Sequence, residues 1–226
     1  TAHRADGLID TMFNTIGPAI YKVDQDALNA AGNVMAPTIE IVGTDFVFED
    51  EEPDPNKRFR LMLNQMQEDD ARNAAIMAIL TANSDKFNLV LGDGLQHLQS
   101  LRDSLGYRAA FVCGQTPKKE REKIMEDLRA GTYNYLFATY SLAKEGLDIP
   151  QLNRLYLITP KRDKATIQQA VGRIMRKALG KTEAIVYDFV DHNVTTCINQ
   201  FTERKRVYKA IGADVQLPTK ARRENI

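Results

Sequence analysis

From Phe87 onward the chain alternates short apolar runs with amphipathic stretches, and this alternation limits the folds open to it more than any other feature. Residues 88–91, 109–112, 134–138, 155–158 and 184–189 read as buried strands, most of them followed by a turn and a helical pattern. Strands separated by helical crossovers lie parallel, with helices on both faces, because the right-handed connection is the one that packs back onto the sheet. The expected fold class is α/β, a parallel central sheet of about six strands. An earlier strand is expected over residues 38–48, with a bulge at Gly43, followed by packing helices over 57–67 and 70–82.

Local signals place the helices. Leu95, Leu98, Leu101 and Leu105 stripe one helix, and Gly106 ends it. Gly114-Gln115-Thr116-Pro117 supplies a loop, an N-cap and a proline at the first helical position, with Ile124, Met125 and Leu128 facing inward and Gly131 closing the helix. The last helix, 194–211, is expected to bury Val194, Ile198, Phe201, Tyr208 and Ile211 and to keep Arg204, Lys205, Arg206 and Lys209 largely on other faces.

The densest chemistry lies in residues 137–176. One strand ends in Thr139, a hydroxyl at the C-terminal edge where open α/β sheets bind ligands. The loop Glu145-Gly146-Leu147-Asp148-Ile149-Pro150 sets two carboxylates about a glycine, which suits sugar hydroxyls. After the next strand, Asp163 or Thr166 opens a helix bearing Gln168, Gln169, Gly172, Arg173 and Arg176. Arg173 and Arg176 share a face, and paired guanidiniums repel unless an anion or carboxylates lie between them. Their planar forks match phosphate oxygens as lysine does not. An isolated R-x-x-R is ordinarily an exposed basic face or a surface ion pair; the neighbouring motifs give this one its phosphate reading.

Taken together, Ala138-Thr139, Glu145 to Pro150 and Gln169-Ala170-Val171-Gly172-Arg173-Ile174-Met175-Arg176 resemble motifs V and VI of the superfamily-2 DEAD/DEAH-type helicases. The loops at Gly92-Asp93-Gly94 and Gly114-Gln115-Thr116-Pro117 resemble motifs IV and IVa. Residues 1–7 resemble the end of motif III, with Ala2 where a proline is usual, and residues 16–37 are similar to the branch of DNA-repair and phage helicases and translocases. The resemblance implies a RecA-like three-layer lobe over residues 85–213, preceded by a lobe-linking segment (1–84) and followed by a basic tail (214–226). It further implies Arg173 and Arg176 as arginine fingers, Gly146 and Asp148 near the nucleotide sugar, and Gln169 coupling nucleotide state to lobe closure. Gly92, Gly114 and Thr139 would hold a nucleic-acid backbone, DNA in preference to RNA. ATP and Mg²⁺ would be held mainly by an N-terminal lobe absent from this chain, which alone should be inactive. Two other readings remain open: a duplex translocase of remodelling or restriction type, and a non-catalytic nucleic-acid-binding or docking module.

Composition removes several alternatives. The net charge is zero, but residues 161–181 hold seven Lys/Arg against Asp163 alone, which fits local phosphate binding better than bulk coating of a polyanion. Cys113 and Cys197 are far apart and His3, His97 and His192 are scattered, so neither a disulfide scaffold nor a metal site is expected. No apolar run is long enough to span a membrane, and a cytoplasmic monomer is expected, beginning at Thr1 as a fragment or processed chain would. Two look-alikes are set aside. The acidic run after Phe48 lacks a preceding phosphate loop, and Gly180-Lys181-Thr182 follows a helix and precedes a strand, the reverse of a Walker A context.

Overall fold

The computed structural model describes residues 34–144 and 148–216, together with Thr11, Asn14, Thr15 and Gly17. Expectations for the rest of residues 1–33, for 145–147 and for the tail after 216 lie outside the described residues. The strands are β1 Thr38–Thr44, β2 Asn88–Gly92, β3 Ala109–Val112, β4 Tyr135–Thr139, β5 Arg154–Leu157, β6 Ile185–Asp191 and β7 Asp214–Gln216. The helices are α1 Pro55–Glu68, α2 Asp70–Ala82, α3 Leu95–Ser104, α4 Lys118–Arg129, α5 Tyr140–Lys144, α6 Lys164–Ile174 and α7 Thr195–Ala210.

All seven strands form one sheet in the order β3-β4-β2-β5-β6-β1-β7, and every pairing is parallel. This is an α/β RecA-like fold, as the sequence implied. The period-two alternation of each strand sorts its side chains between two cores. Leu89, Leu91, Leu136, Ala138, Leu155, Leu157 and Val186 face the layer of α4, α5, α6 and the second half of α7. Val90, Tyr135, Phe137, Tyr156, Ile158, Tyr187 and Phe189 face α2 and α3. Each fully buried Leu or Ile contributes roughly 1.5–3 kcal/mol, so the strands are held by both faces at once.

Three differences from the sequence expectation have physical causes. Strand β1 stops at Thr44 rather than Phe48, because its partner β6 ends opposite it at Asp191, to which Thr44 Oγ1 donates. Beyond it Phe46 leaves the sheet to pack with Met62, Met66, Val194 and Cys197. The short strand β7 has no apolar run to announce it and forms by pairing with the free edge of β1. In α7, Arg204 is buried rather than turned outward, donating to Asp188 at 2.8 Å, whereas Ile198 is exposed. A guanidinium satisfied by a buried carboxylate displaced the apolar stripe expected from periodicity.

Helix starts follow the sequence more closely. Asp54, Asp69 and Asp163 cap α1, α2 and α6, accepting from Asn56, Arg72 and Thr166 amides at 2.8, 2.7 and 3.1 Å. Thr116 does not cap α4. Its hydroxyl accepts from the Cys113 amide at 3.0 Å and closes the preceding turn instead.

Candidate functional site

Sheet order decides which candidate residues meet. Strands β3, β4 and β2 are neighbours, so their C-terminal ends bring Gly114, Thr139 and Gly92 onto one rim although they lie far apart in sequence. Adjacent strands are about 4.8 Å apart, so the three positions sit side by side along the rim. Gly92 and Thr139 are register partners. Thr139 Oγ1 shares a hydrogen bond of 2.8 Å with Ser141 Oγ, and neither hydroxyl is buried. Helices α3 and α4, which start from this rim, have Gly94 and Pro117 as N-caps, and neither residue makes a side-chain cap hydrogen bond.

The two glycines differ. A methyl at Gly92 would lie 3.0 Å from Ile158 Cγ1, so that glycine is also needed for packing β2 against the end of β5. Gly114 is exposed, with nothing within 4 Å of a methyl added there. Asp93, just past Gly92, receives Lys161 Nζ at 3.1 Å, and its amide donates to Thr159 Oγ1 at 3.1 Å. Lys161 also lies 5.1 Å from the centre of the Tyr140 ring.

The arginine pair occupies a different place. Helix α6 carries the chain from the end of β5 back toward the start of β6, so Arg173 and Arg176 lie near its far end rather than at the rim with Thr139. The sequence set both arginines on the helix, but α6 ends at Ile174 with Met175 as its C-cap. Arg176 begins the connection, bridged to Val34, and the Met35 amide donates to the Met175 carbonyl at 2.8 Å. Gln169 and Arg173, one turn apart, lie on the face of α6 opposite Ile167, Ala170, Val171 and Ile174, which are buried in the core, and Arg176 follows just past the helix end.

Arg176 forms an ion pair with Asp148, both side chains remaining partly open to solvent at 41% and 66%. The structure therefore joins these two candidates across 28 residues, while Gly146 lies outside the described residues. Arg129 at the end of α4 donates to the Asp148 carbonyl at 3.1 Å and helps to hold this loop. Burial, and then the Arg176 charge, depress the pKa of Arg173 below its ordinary value, with Asp148 opposing. Gln169 Oε1 is a buried oxygen without a hydrogen-bond donor. Asp148 thus pairs with Arg176 and also acts electrostatically on Arg173, so the two guanidiniums and the carboxylate lie in one charged cluster whose planar forks suit phosphate oxygens.

Sequence reasoning missed Lys181. It stands in the Gly180-Lys181-Thr182 turn, whose context is the reverse of a Walker A loop, and its ammonium turns inward beneath the Asp148 loop. No motif marks it, and only its position after the arginine helix could have raised it. A cavity of about 820 Å³ between Phe48, Phe59 and the start of α7 contains none of the candidate residues. Among the described residues no group of three or more His, Cys, Asp or Glu could hold a metal, and no helix is long and apolar enough to cross a membrane.

With sheet, rim and arginine pair in place, the fold defines a RecA-like module of the ATPase and helicase type. The helicase conserved C-terminal domain model matches residues 63–178, over half of the chain, and the chain belongs to that family. It is 26% identical over 217 residues to the probable helicase D10 of Escherichia phage T5, covering 94% of this chain and 46% of that protein. It is 30% identical over 117 residues to UvrABC system protein B of Acinetobacter baylyi, covering 49% of this chain and 17% of that one. The chain thus spans less than half the length of these curated relatives. The fold superposes on S. cerevisiae Dbp5 bound to RNA and ADP BeF3 with a TM-score of 0.65 and 15% identity, covering 96% of this chain and 50% of that one.

These matches support the broad superfamily-2 group related to DEAD/DEAH and UvrB-type helicases and single out no DNA-repair or phage branch within it. They also correct the expected partner. The expected preference for DNA over RNA is corrected: solved structures that superpose on 96% of this chain are of Dbp5 bound to RNA.

Proposed function

We propose that this chain is the second lobe of a nucleic-acid-dependent ATPase. Arg173 and Arg176 would meet the terminal phosphate of an ATP held by a first lobe, and Gly114, Thr139 and Gly92 would line a strand backbone. The observation that carries the reading is the pairing of Asp148 with Arg176 beside Arg173, which joins two separate sequence motifs in one charged, partly open surface.

Here the chain's own contribution is electrostatic. Guanidinium forks fixed at the end of α6 stabilise negative charge that develops on phosphoryl oxygens, and half-burial strengthens them because less water screens them. Gln169, on the same helix face as Arg173, has an unused buried oxygen that lobe closure could satisfy. Asp148 occupies Arg176 until a phosphate competes for it. ATP with Mg²⁺, expected on the first lobe, supplies the phosphoanhydride to be cleaved. Single-stranded RNA is the partner to test first, gripped through its backbone by the amides and hydroxyls of the rim.

The test is ATP turnover by the full-length protein. Arg176→Ala should lower it by roughly 10³-fold or more, the scale on which arginine fingers act, with folding intact. Unchanged turnover would remove the arginine from the chemistry. The chain by itself should hydrolyse ATP negligibly, and turnover at ordinary enzymatic rates by the chain alone would sink the lobe assignment.

A further inference from the structure

The Lys181 side chain ends among four main-chain carbonyls. Its Nζ lies 2.5 Å from Ile174 O, 2.6 Å from Leu152 O, 2.7 Å from Arg176 O and 3.3 Å from Pro150 O. The three close oxygens match the three protons of an ammonium. Two of the four belong to Ile174, the last residue of the arginine helix, where carbonyls have no partner within the helix, and to Arg176 two residues further on. The other two belong to the loop that presents Asp148. A single charge therefore ties together the two segments that carry the Arg176–Asp148 pair, one through Arg176's own carbonyl and the other two residues beyond Asp148.

We propose that Lys181 is the positioning residue of the arginine site, fixing the end of α6 against the Asp148 loop so that Arg173 and Arg176 are presented in one geometry. This rests on the arginine reading given above and adds the part that sets its precision. Lys181 touches no phosphate in this role; it acts through the backbone.

The alternatives for a lysine here are weaker. As an exposed Walker-type lysine it would have to point outward, whereas it is half-buried and directed at carbonyls. As a generic helix-end cation it would need only the α6 carbonyls, and the bonds to Leu152 and Pro150 would be superfluous. The charged side chains on the two tied segments are Asp148, Arg173 and Arg176, with Lys177 exposed beyond; Glu183, in Lys181's own segment, pairs with Arg154 instead.

The experiment compares Lys181→Gln and Lys181→Met with Arg176→Ala and Asn83→Ala in the full-length protein. Asn83 is a control for stability alone. It joins Arg154 and Tyr187 on the α2 side of the sheet and belongs to no candidate site. The Lys181 variants should lower kcat for ATP at least about tenfold, since misplacing a catalytic group by about 1 Å can cost about 10²-fold. KM should stay within about threefold, and amide exchange should quicken at residues 148–153 and 174–181 above all.

A kcat unchanged in the Lys181 variants, or lowered no more than by Asn83→Ala at equal loss of Tm, overturns the positioning role while Arg176→Ala still abolishes turnover. Retained turnover in Arg176→Ala removes the arginine reading itself, and the positioning role falls with it.

Discussion

Arg72 and Asp191 form an ion pair with both side chains fully buried, Arg72 Nε lying 2.7 Å from Asp191 Oδ1. Arg72 also donates to the Ile158 carbonyl at 2.7 Å, and Asp191 accepts from Thr44 Oγ1 at 2.5 Å. One helix, α2, is thereby tied to the ends of β1, β5 and β6, the strands that place α6. Buried pairs of this kind give little net stability over apolar replacements, but they are costly to break because the surviving charge is stranded.

Arg72→Ala should therefore destabilise the fold by about 3–5 kcal/mol, read from the urea midpoint at constant slope. Replacing both partners, Arg72→Met with Asp191→Leu, should cost much less than the single change. If the double variant were the less stable of the two, the stranded-charge account would fail.

At the arginine site the shape of the cation should matter as well as its charge. Arg176→Lys keeps the charge but loses the planar fork, so turnover of the full-length protein should remain about 10²-fold or more below the parent. Asp148→Ala should change stability by no more than about 1 kcal/mol, as its pair with Arg176 is partly solvated. Full activity in Arg176→Lys would mean that a point charge suffices.

His97 gives the fold an acid limit. Its Nε2–H donates to Asn73 Oδ1 at 2.7 Å, an orientation fixed because Asn73 Nδ2 donates to the Gln67 carbonyl at 2.8 Å, and Nδ1 is buried without a partner. Burial pushes the pKa of this imidazole down to about 4, with the Arg72 charge assisting. The folded state then binds fewer protons than the unfolded one between about 6.5 and about 4, so stability rises with pH across that window and is lost as acid is added. The loss should approach about 3 kcal/mol by pH 4, and it should be largely absent in His97→Gln measured by denaturant titration at several pH values.

The two rim glycines should separate packing from binding. Gly92→Ala brings a methyl to 3.0 Å from Ile158 Cγ1 and should cost about 1 kcal/mol or more. Gly114→Ala meets open space, so stability should shift by no more than about 0.5 kcal/mol. Affinity of the full-length protein for single-stranded RNA, measured at one fixed salt concentration, should nonetheless fall in Gly114→Ala. Undiminished affinity there would take Gly114 out of the strand surface.

What the chain determined by itself was local and periodic. Strands β2 to β6, the approximate helix starts and the α/β class follow from short apolar runs, turn residues and helical spacing, which act over a few residues and can be read along a line; which of Asp163 and Thr166 caps α6 was decided by the fold. Motif letters also brought out Arg173, Arg176, Asp148 and Thr139. What only the tertiary structure decided was adjacency. The β3-β4-β2 order makes Gly114, Thr139 and Gly92 neighbours, and the return of α6 separates the arginines from that rim. The turning inward of Arg204 and Lys181 was equally invisible, because a charged side chain goes where distant carboxylates or carbonyls can replace its water, and those partners are set by the completed fold.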